Sequence, residues 1–168
     1  MLINGHQRLA CNTQISTIGN RITVEPLPHL PVIRDLVVDL HSYFHKMNMV
    51  KPYFEGPKSF PEKEFIQSPK DRRAIDGAIE CVDCGACYSA CSDALTDPKY
   101  PGPAAFLKAY RFIADTRNVD SSERLHSIGP EVLRCPKSCN ADDVCPKSID
   151  IMDFIQALKR RATPTPKR

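Results

Sequence analysis

Seven of the eight cysteines in this 168-residue chain lie between residues 81 and 145, in two clusters. The first, Cys81-x2-Cys84-x2-Cys87-x3-Cys91, sets four thiols at gaps of two and three residues. Gaps this short let successive sulfurs face one inorganic core, and the spacing wraps three thiolates round one iron-sulfur cluster while sending the fourth to another. Gly85 stands where the backbone must pass close to that core, so a residue without a side chain is expected there. The remaining ligand of a cluster held by Cys81, Cys84 and Cys87 must come from far along the chain, and Cys145-Pro146 is the expected source. Its counterparts for the other cluster are Cys91, Cys135 and Cys139. Four thiolates and three match one 4Fe-4S and one 3Fe-4S cluster. A second 4Fe-4S cluster would need an oxygen ligand, for which Ser138 stands at the corresponding place.

Two other chemistries use many cysteines. Tetrahedral zinc takes four thiolates in two pairs, but it leaves Cys87 and Cys91 as surplus close neighbours. A disulfide framework belongs to exported chains, and the start MLINGHQRLAC has neither the charged flank and apolar core of a signal peptide nor the arginines of a transit peptide. Reduced thiols available to iron are the expectation.

Composition bounds the scaffold. Apolar residues make up 42%, enough for a core, while 15 prolines and no tryptophan suggest short elements and many loops in one domain or two small ones. The net charge of +3 is dispersed apart from Lys159 to Arg161 and the last two residues, which gives no support to nucleic-acid binding. No apolar run reaches 18 residues, so no membrane-spanning helix is expected.

The elements that must position the thiols follow from pattern. ITVEPL, residues 22 to 27, predicts a strand closing on Pro26. Pro31 opens a predicted helix in which Leu36, Leu40, Phe44 and Met47 share a face, fading near Asn48. Residues 54 to 64 predict a surface linker. Ser68-Pro69-Lys70-Asp71 predicts a capped helix start leading into Cys81. Pro103 starts a helix whose Phe106, Tyr110, Ile113 and Ala114 line one side, expected to pack round the clusters and exclude water. A last helix covers about Ile151 to Arg161, with Ile151, Phe154, Ile155 and Leu158 inward. The result is a β-flavoured beginning too short to fold alone, then a helical part.

Several stretches together resemble the iron-sulfur subunit of the succinate dehydrogenase and fumarate reductase family: INGHQRLAC, ITVEPLPHLPVIRDLVVDL, KPY at Lys51 to Tyr53, CVDCGACYSAC, PGPAAFLKAYRFIADTRN, and RC followed by CPKSIDI. The resemblance implies a mainly α fold. Residues 36 to 168 would form an α-helical ferredoxin domain with two clusters, preceded in residues 1 to 35 by the remnant of a β-grasp, plant-type 2Fe-2S ferredoxin domain. It implies a subunit with no catalytic residues, inactive alone, that relays electrons from the FAD of a flavoprotein subunit through its clusters to quinone at membrane anchor subunits. Such a subunit is peripheral on an energy-transducing membrane, either the matrix side of the mitochondrial inner membrane or the cytoplasmic side of a bacterial one. The alternatives are a fumarate reductase subunit working in reverse, a soluble ferredoxin-like carrier to a thiol or heterodisulfide partner, and a cluster-free remnant.

Carried over by residue, Cys81, Cys84, Cys87 and Cys145 match 4Fe-4S ligands, and Cys91 and Cys135 match 3Fe-4S ligands. Cys11, in its Leu-Ala-Cys context, matches the last of four 2Fe-2S ligands. Its three companions are expected on a separate polypeptide whose strands pair with ITVEPL; the alternatives are a truncated record, or a lost cluster with Cys11 a buried thiol. The family's C-x5-C-x3-C-P is here C-x3-C-x5-C-P, so Cys139 replaces a ligand expected at Ala141. Ser92 follows Cys91 where the family has proline. The family's quinone-facing tryptophan and histidine are matched by Leu95 or Thr96 and by Pro136.

Overall fold

The computed structural model of the chain describes residues 1–57, 59, 61–119, 121–136 and 140–163. It is mainly helical, with small antiparallel sheets in the first 38 residues.

The first sheet is nucleated by a turn. Asn4 and Gly5, at φ 49° and 77°, form the two-residue loop that matches the right-handed twist of a hairpin, joining β1 (Leu2–Ile3) to β2 (His6–Gln7). Asn4 also ties down the following loop. Its amide donates to Ile18 O (3.1 Å) and Arg21 O (3.2 Å), and its Oδ1 accepts from Thr23 N (2.8 Å). The predicted strand in ITVEPL shrinks to β3 (Val24–Glu25), which pairs antiparallel with β1, giving the order β2-β1-β3. Within this chain, therefore, β3 has a partner on one edge.

The helix predicted from Pro31 does not start there. Residues 32 to 38 form a second hairpin, β4 (Val32–Arg34) and β5 (Val37–Val38), with Asp35 in the left-handed region at φ 50°. The β-branched residues Val32, Ile33, Val37 and Val38 favour the pleated chain, so the apparent helical period through Leu36 was a coincidence of spacing. Asp35, at the end of the first expected domain, sits in this hairpin. Helix α1 spans His41–Met49 and buries Tyr43, Lys46 and Met47; of the predicted face only Met47 is buried, while Leu36 and Phe44 are exposed.

Residues 54 to 64 carry no helix or strand at their described positions, as predicted. The segment is fastened at its start, where Glu55 N donates to Asn118 Oδ1 (2.8 Å) and Glu55 O accepts from Val119 N (2.9 Å). Ser68 caps α2 (Pro69–Arg73) through Asp71 N as predicted. The path to Cys81 then breaks into a second short helix, α3 (Asp76–Ile79). After the first cysteine cluster come α4 (Ala86–Ser89) and α5 (Ser92–Thr96).

α6 (Pro103–Ile113) is the central element. Proline at its first position needs no hydrogen-bond acceptor, and nine of its eleven residues are buried, the mark of a helix surrounded on all sides. It packs against α1, α3, α4, α7 (Ser121–Arg134) and α8 (Ile151–Ala162). Gly102, just before it, has φ 89°, and a Cβ there would lie 2.8 Å from Ala94 Cβ, so α5 and α6 meet without room for a side chain. α8 buries Ile151, Ile155 and Leu158 as predicted, with Phe154 half-buried. α7 had no counterpart among the sequence expectations. Its Arg124 is fully buried and donates from Nη2 to Tyr53 O and Glu55 Oε2, both at 3.1 Å.

Candidate metal centre

Three neighbouring cysteines, Cys81, Cys84 and Cys87, and the distant Cys145 line one cavity. α3 ends at Ile79 and hands the chain to Cys81. Asp83 and Gly85, both in the left-handed region (φ 53° and 76°), curl the loop so that Cys84 and Cys87 face the same space. A β-carbon on Gly85 would make only ordinary contacts with Leu27 and Leu40, so the demand for glycine is conformational. On the opposite wall, the turn Cys145–Ser148 precedes α8, and Ile149 N donates to Cys145 Sγ at 3.4 Å. The rest of the lining is largely apolar, including Tyr43, Ala104, Leu107, Ile149 and Ile151. α6 thus shields the cavity with Ala104 and Leu107. The predicted face does not line this cavity: Phe106 lies edge-on to Tyr100 (5.4 Å), whose hydroxyl acts on Cys135, and Tyr110 packs on Phe154 (4.9 Å). The stripe one position off was the one that met the cysteines.

The electrostatics are those of thiols taken from water. Burial pushes the Cys87 thiol well above its ordinary range, and the neighbouring Cys81, Cys84 and Cys145 push it further, a sign that the four sulfurs act on one another. Cys81 is raised by burial too, against backbone hydrogen bonding at Asp83; its thiol lies 3.6 Å from Asp83 Oδ1, and the other carboxylate oxygen is held by Lys108 at 2.9 Å. Thiolates in so apolar a place need positive charge at close range, which iron supplies. The donor set fits an iron-sulfur group on a further count. Tyr43 lines this cavity, and its hydroxyl is buried with no hydrogen-bond partner among the described residues.

Cys91 and Cys135 are both buried beyond this cavity. One short turn, α4, separates Cys87 from Cys91, which caps α5. Burial raises the Cys135 thiol, opposed by the Tyr100 hydroxyl and the Lys159 ammonium; the Cys91 sulfur is close enough to raise it further. Lys159 donates to Cys135 O. Lys46, only 3% exposed, donates to Ala94 O and to Asp97 O (2.6 Å) at the end of α5. The expected partner Cys139, and Ser138 beside it, lie outside the described residues. Ala141, where the family's spacing puts that ligand, is buried in the core with Cys91 and Cys135.

Cys11 is exposed, which excludes the buried-thiol reading. It lies in a one-turn 3-10 helix, Ala10–Asn12. The recess it lines shares Arg8, Asn12 and Thr13 with a cleft of about 650 Å³ that runs between the β1–β2 hairpin and the Asp143–Pro146 loop and reaches Cys145. The structure therefore brings Cys81, Cys84, Cys87 and Cys145 together, Cys91 and Cys135 into a second buried pair, and Cys11 onto a surface continuous with the first group. Sequence reasoning missed Tyr43 and Lys46, because both fall on the helix whose start was misjudged.

Residues 1–45 match the family model described as a 2Fe-2S iron-sulfur cluster binding domain. Over 162 residues the chain is 40% identical to the succinate dehydrogenase iron-sulfur subunit of Coxiella burnetii, covering 95% of this chain and 69% of that one. It is 38% identical to the corresponding subunit of Paracoccus denitrificans and to a mitochondrial one of Oryza sativa, spanning 62% and 59% of their lengths. It also superimposes on a chain of the Mycobacterium smegmatis Sdh1 complex in its apo form, with a TM-score of 0.80, 26% identity, and coverage of 95% of this chain and 70% of that one.

Proposed function

Because the chain belongs to the family of succinate dehydrogenase iron-sulfur subunits, we propose that it relays electrons within a succinate:quinone oxidoreductase, from the FAD of a flavoprotein subunit to quinone at membrane anchor subunits. Bound iron-sulfur clusters supply one-electron carriers that change oxidation state with little rearrangement. The chain's own part is to hold them, in order, away from water. The observation that carries the reading is the succession along the molecule: the exposed Cys11 recess, the cleft to Cys145, the cavity of Cys81, Cys84, Cys87 and Cys145, and the buried pair Cys91 and Cys135 one short helical turn further on.

In this reading Cys81, Cys84, Cys87 and Cys145 hold a 4Fe-4S cluster, and Cys91, Cys135 and Cys139 hold a 3Fe-4S cluster. Cys11 contributes a ligand to a 2Fe-2S cluster. Residues 1 to 35 act as part of a β-grasp ferredoxin domain and residues 36 to 168 as an α-helical ferredoxin domain. The match of residues 1–45 to a 2Fe-2S binding domain supports the first part. No helix among the described residues is long and apolar enough to cross a membrane, so attachment to an energy-transducing membrane falls to partner subunits.

The test is made in the assembled complex. Cys84→Ser is expected to abolish the 4Fe-4S EPR signal and succinate-to-quinone transfer while leaving reduction of an artificial acceptor at the flavin intact, and Cys139→Ser to abolish the oxidised 3Fe-4S signal alone. Metal analysis that finds zinc and no iron, or quinone reduction that survives Cys84→Ser, rejects the reading.

A further inference from the structure

We propose that the Tyr43 hydroxyl donates a hydrogen bond to a sulfur of the group held by Cys81, Cys84, Cys87 and Cys145, and so raises its reduction potential; the inference rests on the assignment of those four cysteines above. Tyr43 is 2% exposed on α1, and its ring is fixed edge-on between Phe44 (5.1 Å between centroids) and Tyr88 (5.4 Å). The side chain is thereby held in place, and Tyr43 lines the cysteine cavity. The thiols of Cys81, Cys84 and Cys87 all act on the phenol electrostatically, as does Asp83.

The hydroxyl has no partner among the described residues. Asp83 is bonded to Cys81 and Lys108 and the Tyr88 hydroxyl to Ser42 Oγ at 3.0 Å, and neither is bonded to Tyr43. A buried hydroxyl left without a partner costs about 1 to 3 kcal/mol, and Phe would fill the same ring space without that cost. The missing acceptor is supplied when the cavity holds sulfur carrying negative charge. A phenol is protonated at neutral pH and can donate. The bond strengthens when one electron is added to the group, because the sulfurs then carry more charge. Stabilising the reduced form raises the potential, one of the levers by which proteins tune such groups. Ile149 N, which donates to Cys145 Sγ, acts in the same sense from the opposite wall.

Tyr43→Phe separates this role from packing. In the intact complex, an EPR-monitored redox titration of the 4Fe-4S signal is expected to give a lower midpoint in the variant, at equal iron content, with the 3Fe-4S midpoint unmoved. In the full chain stripped of iron, the variant is expected to melt at the same temperature as the parent or higher, since it deletes only an unpaired oxygen. An unchanged 4Fe-4S midpoint overturns the proposal, as does an iron-free variant that melts lower, which would mean the hydroxyl has a partner in the protein. If the parent shows no iron-sulfur signal from these four cysteines, the underlying assignment fails as well, and that result is visible before any variant is made.

Discussion

Single residues in this chain do their work by what burial forbids. Asp115 is fully buried just beyond α6; burial alone would raise its carboxyl, but hydrogen bonds from the Arg117 side chain and backbone, with Arg111 nearby, hold it below the ordinary carboxylate range. Gln67 Nε2 adds a further donor at 3.2 Å. A depressed carboxyl contributes stability that is complete above its unfolded pKa of about 3.9 and lost as pH falls through the folded value. Asp115→Asn is therefore expected to cost about 3 kcal/mol at pH 7, the lower end for breaking a buried pair. The gap between parent and variant in denaturant melts should be constant at neutral pH and narrow once pH falls below about 3.9. A gap that stays constant however far the pH is taken below that value would show that the charge is not what matters there.

At the scale of elements, the junction between α5 and α6 is the tightest point of the scaffold. Gly102 combines φ 89° with a β-carbon position 2.8 Å from Ala94 Cβ, so both backbone strain and collision oppose any side chain. Gly102→Ala is expected to destabilise the fold by about 1 to 3 kcal/mol, read as a lower melting temperature with a lower yield of iron-loaded protein. The α6 and α8 helices were legible in the sequence because proline starts one and a clean apolar stripe marks the other. The thiol spacing was legible because it is local. α7 was not, since Pro130 stands inside it and its buried face includes Arg124 and Gly129, residues that read as breakers or surface. The β4–β5 hairpin was misread because Leu36, Leu40, Phe44 and Met47 happen to repeat at helical spacing, and only pairing across the Asp35 turn decides the matter. The β1–β2 hairpin left a plain sign, Asn4-Gly5, that carries more weight than the sparse apolar pattern round it.

For the molecule as a whole, the cysteine cavity joins segments that the sequence holds far apart, with α6 and the start of α8 in its wall. Anything bound there stabilises the folded state by mass action, and it does so for the residue 81–87 loop and the residue 145–151 segment together. Chelation of iron under anaerobic conditions is expected to lower the melting temperature and to open both segments to hydrogen exchange at once, while the Ser121–Arg134 amides respond less. Opening of one segment without the other would show that the cavity is not a shared site.

The separation of the two cavity walls also sets an order of events in synthesis. Cys81, Cys84 and Cys87 leave the ribosome well before Cys145, and at about 5 to 20 residues per second the 58 residues from Cys87 to Cys145 take about 3 to 12 s. Through that interval the first three thiols are made but have no opposite wall, neither Ile149 and Ile151 to exclude water nor, for about the first third of it, Leu107 to cover them. Exposed thiolates are the form that oxidants attack. The nascent chain therefore passes through a window in which its cavity cysteines are its most vulnerable residues, and on the proposed function iron is enclosed only after the helix that follows Cys145 has been made.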